Sequence, residues 1–214
     1  MVRSTTEMVE YTKVLLAERR AEPREDFLSP LANAQSDGIT DNEIAANAMG
    51  LLQAGHVAVR NLIGNVIYLL LTLPDQRSKL QAEPDLLRNT IEETLRYEPP
   101  VTLIPRIAVE DFELHGNTIR EGQIVQLSIA SANRDATHFT DPDRFDITRH
   151  PSGSLSFGHG PHGCLGAPLV MEQTQIALET LFRRMPDLSL DQSRQIRWYR
   201  NAANRGPENL PLLF

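Results

Sequence analysis

Apolar residues along the first twenty positions recur near a helical period, with Met8, Tyr11, Val14, Leu15 and Leu16 predicting a helix over roughly Thr6 to Arg20. A polar, proline-containing stretch and a short apolar piece at Phe27–Leu31 follow. Thr40 and Glu43 then form a T-x-x-E capping box, which satisfies free amide donors at a helix start. From there the pattern runs without proline to Leu73, and Pro74 stops it. At the standard rise this is a helix of about 50 Å, long enough to cross the middle of a domain. A further helix is predicted from Pro84, a good first-turn residue, to Tyr97, where Glu98-Pro99-Pro100 ends it.

The character changes at Val101. Through Ser131 the β-branched content, a turn at His115-Gly116-Asn117 and another at Glu121-Gly122 predict short strands. Thr137 to Leu155 is loop-rich, with Pro142, Pro151 and Gly153. A helix is predicted from Cys164 to about Arg184, stopped by Pro186, and the tail from Leu188 to Phe214 reads as short strands. The expectation is an α+β chain, mostly α, forming a single domain over residues 1–214.

Composition narrows the partners. The chain has 214 residues, 41% hydrophobic and 23% charged, with a net charge of −7, so clustered phosphate-binding cations are not its theme and nucleic acid is not expected as a partner. The opening MVRSTTEMVE has no apolar signal core. The apolar stretch Leu62–Leu73, interrupted by Asn65, falls short of the ~20 residues of a membrane span. These features predict a cytoplasmic protein without membrane association. The single cysteine excludes an internal disulfide; taken alone, it reads as a buried small hydrophobe, a nucleophile or a metal ligand.

The surroundings of that cysteine are more specific. Phe157-Gly158-His159-Gly160-Pro161-His162-Gly163-Cys164-Leu165-Gly166 resembles the haem signature of the cytochrome P-450 family, F-G-x-G-x-x-x-C-x-G, at every fixed position. The resemblance implies haem b with Cys164 as thiolate ligand to the iron. A helix start just beyond the cysteine favours the anion. Gly158, Gly160, Gly163 and Gly166 let the backbone turn and approach a macrocycle, and Phe157 would pack near the sulfur. His162 falls where the family places a basic residue on a haem propionate, and Arg106, after Val101-Thr102-Leu103-Ile104-Pro105, falls where it places a second.

Other segments resemble the family in order. Glu93-Thr94-Leu95-Arg96 matches E-x-x-R, whose charges share one helix face. The resemblance implies a third partner from the Pro142-Asp143-Arg144-Phe145 region; Arg144 is the expected residue and Arg149 its rival. The network is expected to hold the cysteine loop. Ala132-Asn133-Arg134-Asp135 looks like a structural family segment, and Ala203-Asn204 like a turn pointing into the pocket.

Two departures stand out. The family's long helix carries A-G-x-[DE]-T-[TS] over the iron, whereas this chain has Ala54-Gly55-His56-Val57-Ala58-Val59. Neither Val57 nor Ala58 can relay a proton. The second departure is length: family members are near twice this size, and the resemblance covers the C-terminal, haem-binding half. Apolar helix residues such as Leu62, Ile63, Ile67 and Leu70 are therefore expected to be bare, to be covered by a homodimer contact or a partner chain. The resemblance implies a haem-thiolate oxidoreductase of the soluble bacterial class, performing monooxygenase-type oxidation of a small organic substrate. Electrons would come from an external ferredoxin or flavin reductase, or the oxidant would be peroxide. The alternative is a catalytically inactive relative acting as a binding or scaffold subunit.

Overall fold

The structure, a computed structural model, describes residues 2–34, 39–150 and 152–214. The chain divides into two compact units, residues 1–57 and 58–214, and helix α3 (Asp41–Thr72) runs through both.

The first unit holds α1 (Val2–Ala21), α2 (Leu28–Ala32) and the start of α3. Its core is small: Leu16, Ala32, Ile44 and Ala45 are buried, with Leu28 and Leu31 packed against them. Of the apolar positions on α1, Tyr11 and Val14 stay exposed. The capping box at the head of α3 forms as the spacing requires. Thr40 N donates to Glu43 Oε2 at 2.8 Å, and Glu43 N donates back to Thr40 Oγ1 at 3.3 Å. Charge closes the unit: Arg19 pairs with Asp26, and the Arg20 guanidinium reaches Asp41 at 2.9 Å.

In the second unit the remainder of α3 packs into a core of Leu62, Val66, Leu70, Ile91, Leu95, Ile147 and Leu178. Pro74 does end α3, but it also starts a helix that the sequence pattern did not reveal, α4 (Pro74–Ala82), by occupying its first turn. The predicted Pro84–Tyr97 helix is a 3₁₀ turn at Pro84–Leu86 followed by α5 (Leu87–Tyr97). Strand β1 (Leu103–Ile107) pairs antiparallel with β4 (Ile124–Ser128), Leu103 opposite Ser128. Between them β2 (Phe112–Leu114) and β3 (Asn117–Ile119) form a hairpin. His115 and Gly116 make its two-residue turn, both with positive φ (49° and 77°), as a primed turn demands. A short helix α6 (Ile129–Ala132), capped by Ser128, follows β4 directly. Helix α7 (Ala167–Arg184) packs on α5. In the tail β5 (Ser189–Leu190) pairs with β8 (Leu212–Leu213), and β6 (Arg197–Trp198) with β7 (Pro207–Asn209).

The expectation of a bare face at Leu62, Ile63, Ile67 and Leu70 is corrected. Leu62, Ile67 and Leu70 are buried and Ile63 packs against the same core. Helices α4, α5 and α7 and the tail supply side chains to that core within this chain, among them Leu80, Ile91, Leu178 and Leu212. Exposed apolar side chains lie elsewhere, among them Leu51 and Leu52 on α3, and Leu165, Leu169 and Ile176 at and along α7. By length and composition α3 is a helix that could cross a membrane. Its buried Asn61, Leu62, Asn65, Val66 and Leu70 are instead enclosed by protein.

A cysteine loop and its buried support

The loop before α7 is shaped by backbone. Gly158 and Gly160 have φ of +73° and +75°, a region that side chains disfavour. Gly158 N donates to Leu155 O at 2.8 Å, and a 3₁₀ turn at Gly160–His162 is closed by Gly163 N donating to Gly160 O at 2.9 Å. Cys164 N then donates across the loop to Phe157 O at 2.7 Å, tying the signature's first residue to its cysteine. Gly166 is the N-cap of α7, and Ala167 N reaches Cys164 O at 3.3 Å. The helix therefore starts beyond the cysteine, at Ala167, rather than at it.

The reading of Cys164 as a small buried hydrophobe fails, because the residue is exposed. Leu165 beside it is 84% exposed, and Leu169 is exposed one turn on. A Cβ placed on Gly166 would lie 3.9 Å from the sulfur, and one on Gly160 would meet nothing within 4 Å. His162 and Arg106 are both exposed, and Arg106 donates to its neighbouring Pro105 carbonyl at 2.9 Å. Among the described residues no group of three His, Cys, Asp or Glu side chains could hold a metal ion. The exposed Cys164 thiol, on a loop whose Gly158 and Gly160 conformations disfavour side chains, fits a thiolate ligand to haem.

Beneath the loop lies a buried charge network. Glu93 and Arg96 are both fully buried on α5. Arg96 Nε and Nη2 donate to the two Glu93 oxygens at 2.8 and 2.9 Å, a bidentate pair that fixes geometry as well as charge. The other Arg96 donors take backbone carbonyls of Asn133 (3.0 Å), Pro142 (2.8 Å) and Arg144 (3.1 Å). Glu93 Oε1 also accepts from Asp146 N at 3.0 Å and from Arg149 Nε at 3.2 Å.

The third partner is thus Arg149, and the expectation of Arg144 is corrected. The Arg144 guanidinium is 63% exposed and turns to Asp146 at 3.4 Å; only its carbonyl joins the network. Backbone carbonyls explain the substitution, because the 140–149 loop wraps Arg96 with its main chain. That leaves the inward side-chain position to Arg149, which also donates to Thr140 O and Asp141 O.

Two further residues connect the network to the loop, and the sequence reading gave neither a specific role. Asn133, fully buried, donates to Ser156 Oγ at 2.8 Å and accepts from Leu155 N at 2.8 Å. Ser156 Oγ donates to Leu95 O at 2.6 Å. The path runs from α5 through Asn133 to Leu155-Ser156, adjoining Phe157. The signal available was the Ala132-Asn133-Arg134-Asp135 segment, in which Arg134 also stacks 3.9 Å over the Tyr97 ring.

Elsewhere, Ala54, Gly55 and Val57 lie on α3 in the first unit and Ala58 on α3 in the second. Ala54, Gly55 and Val57 are exposed and Ala58 is half-buried. Val101 bridges Asn204, and Thr102 N donates to Ala203 O at 3.0 Å, so the C-terminal turn stands beside the start of β1.

Comparison with known proteins agrees with this geometry. The family model described as Cytochrome P450 matches residues 2–196. The biotin biosynthesis cytochrome P450 of Bacillus subtilis (strain 168) is 44% identical over 207 residues, 95% of this chain and 52% of that protein. Mycinamicin IV hydroxylase/epoxidase of Micromonospora griseorubida is 42% identical over 209 residues, 95% of this chain and 53% of that protein. Among solved structures, P450BioI in complex with hexadec-9Z-enoic acid ligated acyl carrier protein superposes with a TM-score of 0.91 at 42% identity. That match covers 98% of this chain and 54% of the solved one. The chain belongs to the cytochrome P450 family, whose members bind haem b through a cysteine thiolate. It spans about half the length of the curated relatives it matches.

Proposed function

We propose that this chain carries the haem-binding half of a haem-thiolate oxidoreductase, with Cys164 as the iron ligand, acting by monooxygenase-type oxidation on a small organic substrate. The observation that carries the reading is the cysteine loop: an exposed thiol on a glycine-shaped backbone, tied by Cys164 N to Phe157 O at 2.7 Å. When bound, the cofactor supplies iron-centred activation of oxygen or peroxide, which a thiolate ligand favours. The chain's own residues do the rest. Phe157, Gly158 and Gly166 set the depth and direction of the sulfur. His162 and Arg106 would donate hydrogen bonds to the haem propionates. Glu93, Arg96 and Arg149 keep the loop from relaxing.

Val57 and Ala58 cannot deliver protons. Proton delivery then falls to water or to the substrate, or the oxidant is peroxide. Electrons for an oxygen-driven reaction come from an external ferredoxin or flavin reductase. We place the protein in the cytoplasm.

The test is the absorbance spectrum of the purified chain, oxidised and then reduced under carbon monoxide, with haem content per chain. The red-shifted Soret band of a thiolate–carbonyl pair supports the reading, and Cys164→Ser abolishes that band. Absence of haem after reconstitution overturns it for this chain by itself.

A further inference from the structure

The C-terminal half of α3 carries two buried asparagines that the haem site does not use. Asn61 and Asn65 are 1% and 0% exposed, one helical turn apart on the same face. Asn65 Nδ2 donates to the main-chain carbonyls of Glu98 (2.9 Å) and Arg205 (3.2 Å), joining the end of α5 to the segment between β6 and β7. Both polar atoms of Asn61 and Oδ1 of Asn65 have no partner. Buried polar atoms without partners destabilise, so a leucine would serve a core better here. The two donor bonds explain Asn65; nothing in the structure explains Asn61.

What Asn65 positions is defined by close approach. A Cβ on Gly64 would lie 2.8 Å from Pro207 Cγ, and one on Gly206 would lie 2.5 Å from Asn61 Cγ. Arg205 Nε meets Glu98 Oε1 at 2.6 Å while its guanidinium lies 4.0 Å over the Trp198 ring. Trp198 in turn meets Tyr68 of α3 edge-on at 4.9 Å. From this anchor the chain returns to β1: Arg205 N donates to Pro100 O at 2.9 Å, and Thr102 N to Ala203 O at 3.0 Å.

We propose that Asn65 is a positioning residue: with Glu98 and Arg205 it fixes where the Ala202–Asn204 turn stands beside Val101 and Thr102, and so sets one wall of the substrate pocket. The pocket clause rests on the proposed function; the positional claim does not. Asn65 acts through the backbone of the turn and touches no reacting atom. The position sets which substrate shapes fit rather than whether haem binds.

The chain holds its own reporters. Trp198 is its single tryptophan, and the amides of Thr102 and Arg205 make the two bonds that tie the turn to β1. The experiment compares the 214-residue chain with Asn65→Leu, which keeps the bulk and removes both donors. The expected result is a red-shifted, more quencher-accessible Trp198 emission. Amide exchange at Thr102 and Arg205 is at least about tenfold faster, with exchange in the β2–β3 hairpin unchanged. Equal acceleration everywhere, or none at those two amides, overturns the proposal. Glu98→Gln, a milder change that weakens the Arg205 contact, shifts the same two amides in the same direction; unchanged amides there also count against it.

On haem-reconstituted protein, spectral dissociation constants for dodecanoic and hexadecanoic acids are measured with haem content in the same samples. A change of about tenfold in their ratio at equal haem content supports the wall assignment. Equal shifts for both acids overturn it. Failure of the unsubstituted chain to take up haem overturns the proposed function and the pocket clause with it, while the amides still decide the positional claim.

Discussion

The Glu93–Arg96–Arg149 network and the Arg19–Asp26 and Arg20–Asp41 pairs are built from the same side chains, yet they serve different ends. In the second unit Glu93 and Arg96 have no solvent exposure, and their donors and acceptors are met by one another and by carbonyls and amides of the 133–146 segment. In the first unit the pairs are open to water to different degrees, Asp41 being 66% exposed and Asp26 30%. A buried charge without its partner is very costly, so the buried network specifies one arrangement of three chain segments. A solvated pair is screened and contributes little. The loop that presents Cys164 is built on the first kind of charge. The small core of Leu16, Ile44 and Ala45 is trimmed by the second.

The largest effect expected from breaking this contrast is at Arg96. Arg96→Leu leaves buried Glu93 with only Arg149 and the Asp146 amide and takes a donor from three carbonyls, and is expected to cost about 3–5 kcal/mol of stability. Denaturant unfolding checks this. A loss under about 1 kcal/mol would place the network with the surface pairs.

Next in size is the choice between two arginines. Arg149→Ala removes a donor to Glu93 and to the carbonyls of Thr140, Asp141 and Arg144 and should cost about 1–3 kcal/mol. Arg144→Ala removes an exposed guanidinium and should stay within about 0.5 kcal/mol. Parallel unfolding curves for the two variants sharpen the comparison within a single loop, because only one of the two side chains points inward. Reversal of the order would restore the sequence-based expectation of Arg144.

A smaller effect belongs to the first unit. Thr40→Ala removes the hydroxyl that accepts from Glu43 N at 3.3 Å, and should cost about 1 kcal/mol of helix stability. Amide exchange over the first turns of α3 measures it, with α5 as the internal reference.

These sites also mark where sequence carried the structure and where it did not. The capping box, the T-to-P span of α3, the His115-Gly116 turn and the cysteine loop were legible because each is written in adjacent residues with one dominant physical reason. The E-x-x-R pair was legible because i and i+3 share a face. The third arginine was not: Arg144 and Arg149 are equivalent as sequence, and the choice is made by which main-chain carbonyls wrap Arg96. Helix α4 was hidden because Pro74 can end one helix and begin another, and a pattern broken at proline does not show which. The role of Asn133 was hidden for a related reason. Its partners, Leu155 and Ser156, lie across the fold, and no local periodicity links them. The bare apolar face was misjudged because absent elements were counted while the covering side chains from α4, α5 and α7 were not.

The smallest effect is the acid response of the first unit. The Arg19 guanidinium beside Asp26 holds its carboxyl down at about 2, with help from the Ser29 hydroxyl and amide. Asp41 is lowered by Arg20, and Glu43 by the Thr40 amide. In each case the folded value lies below the ordinary carboxylate value of about 4, so the folded state binds protons less readily than the unfolded chain. Their contribution is therefore complete above about pH 4.5 and is lost as pH falls toward 2. Because these carboxylates are solvated, the loss is gradual and shrinks when salt screens the pairs. Carboxyl-carbon NMR titration reads it directly, with Asp26 expected to titrate near 2 at low salt and to move up toward the ordinary value in about 1 M salt. An Asp26 midpoint already at the ordinary value in low salt would show that the Arg19 contact does not persist in solution. The contrast with the buried network would then rest on Arg20 and Asp41 alone.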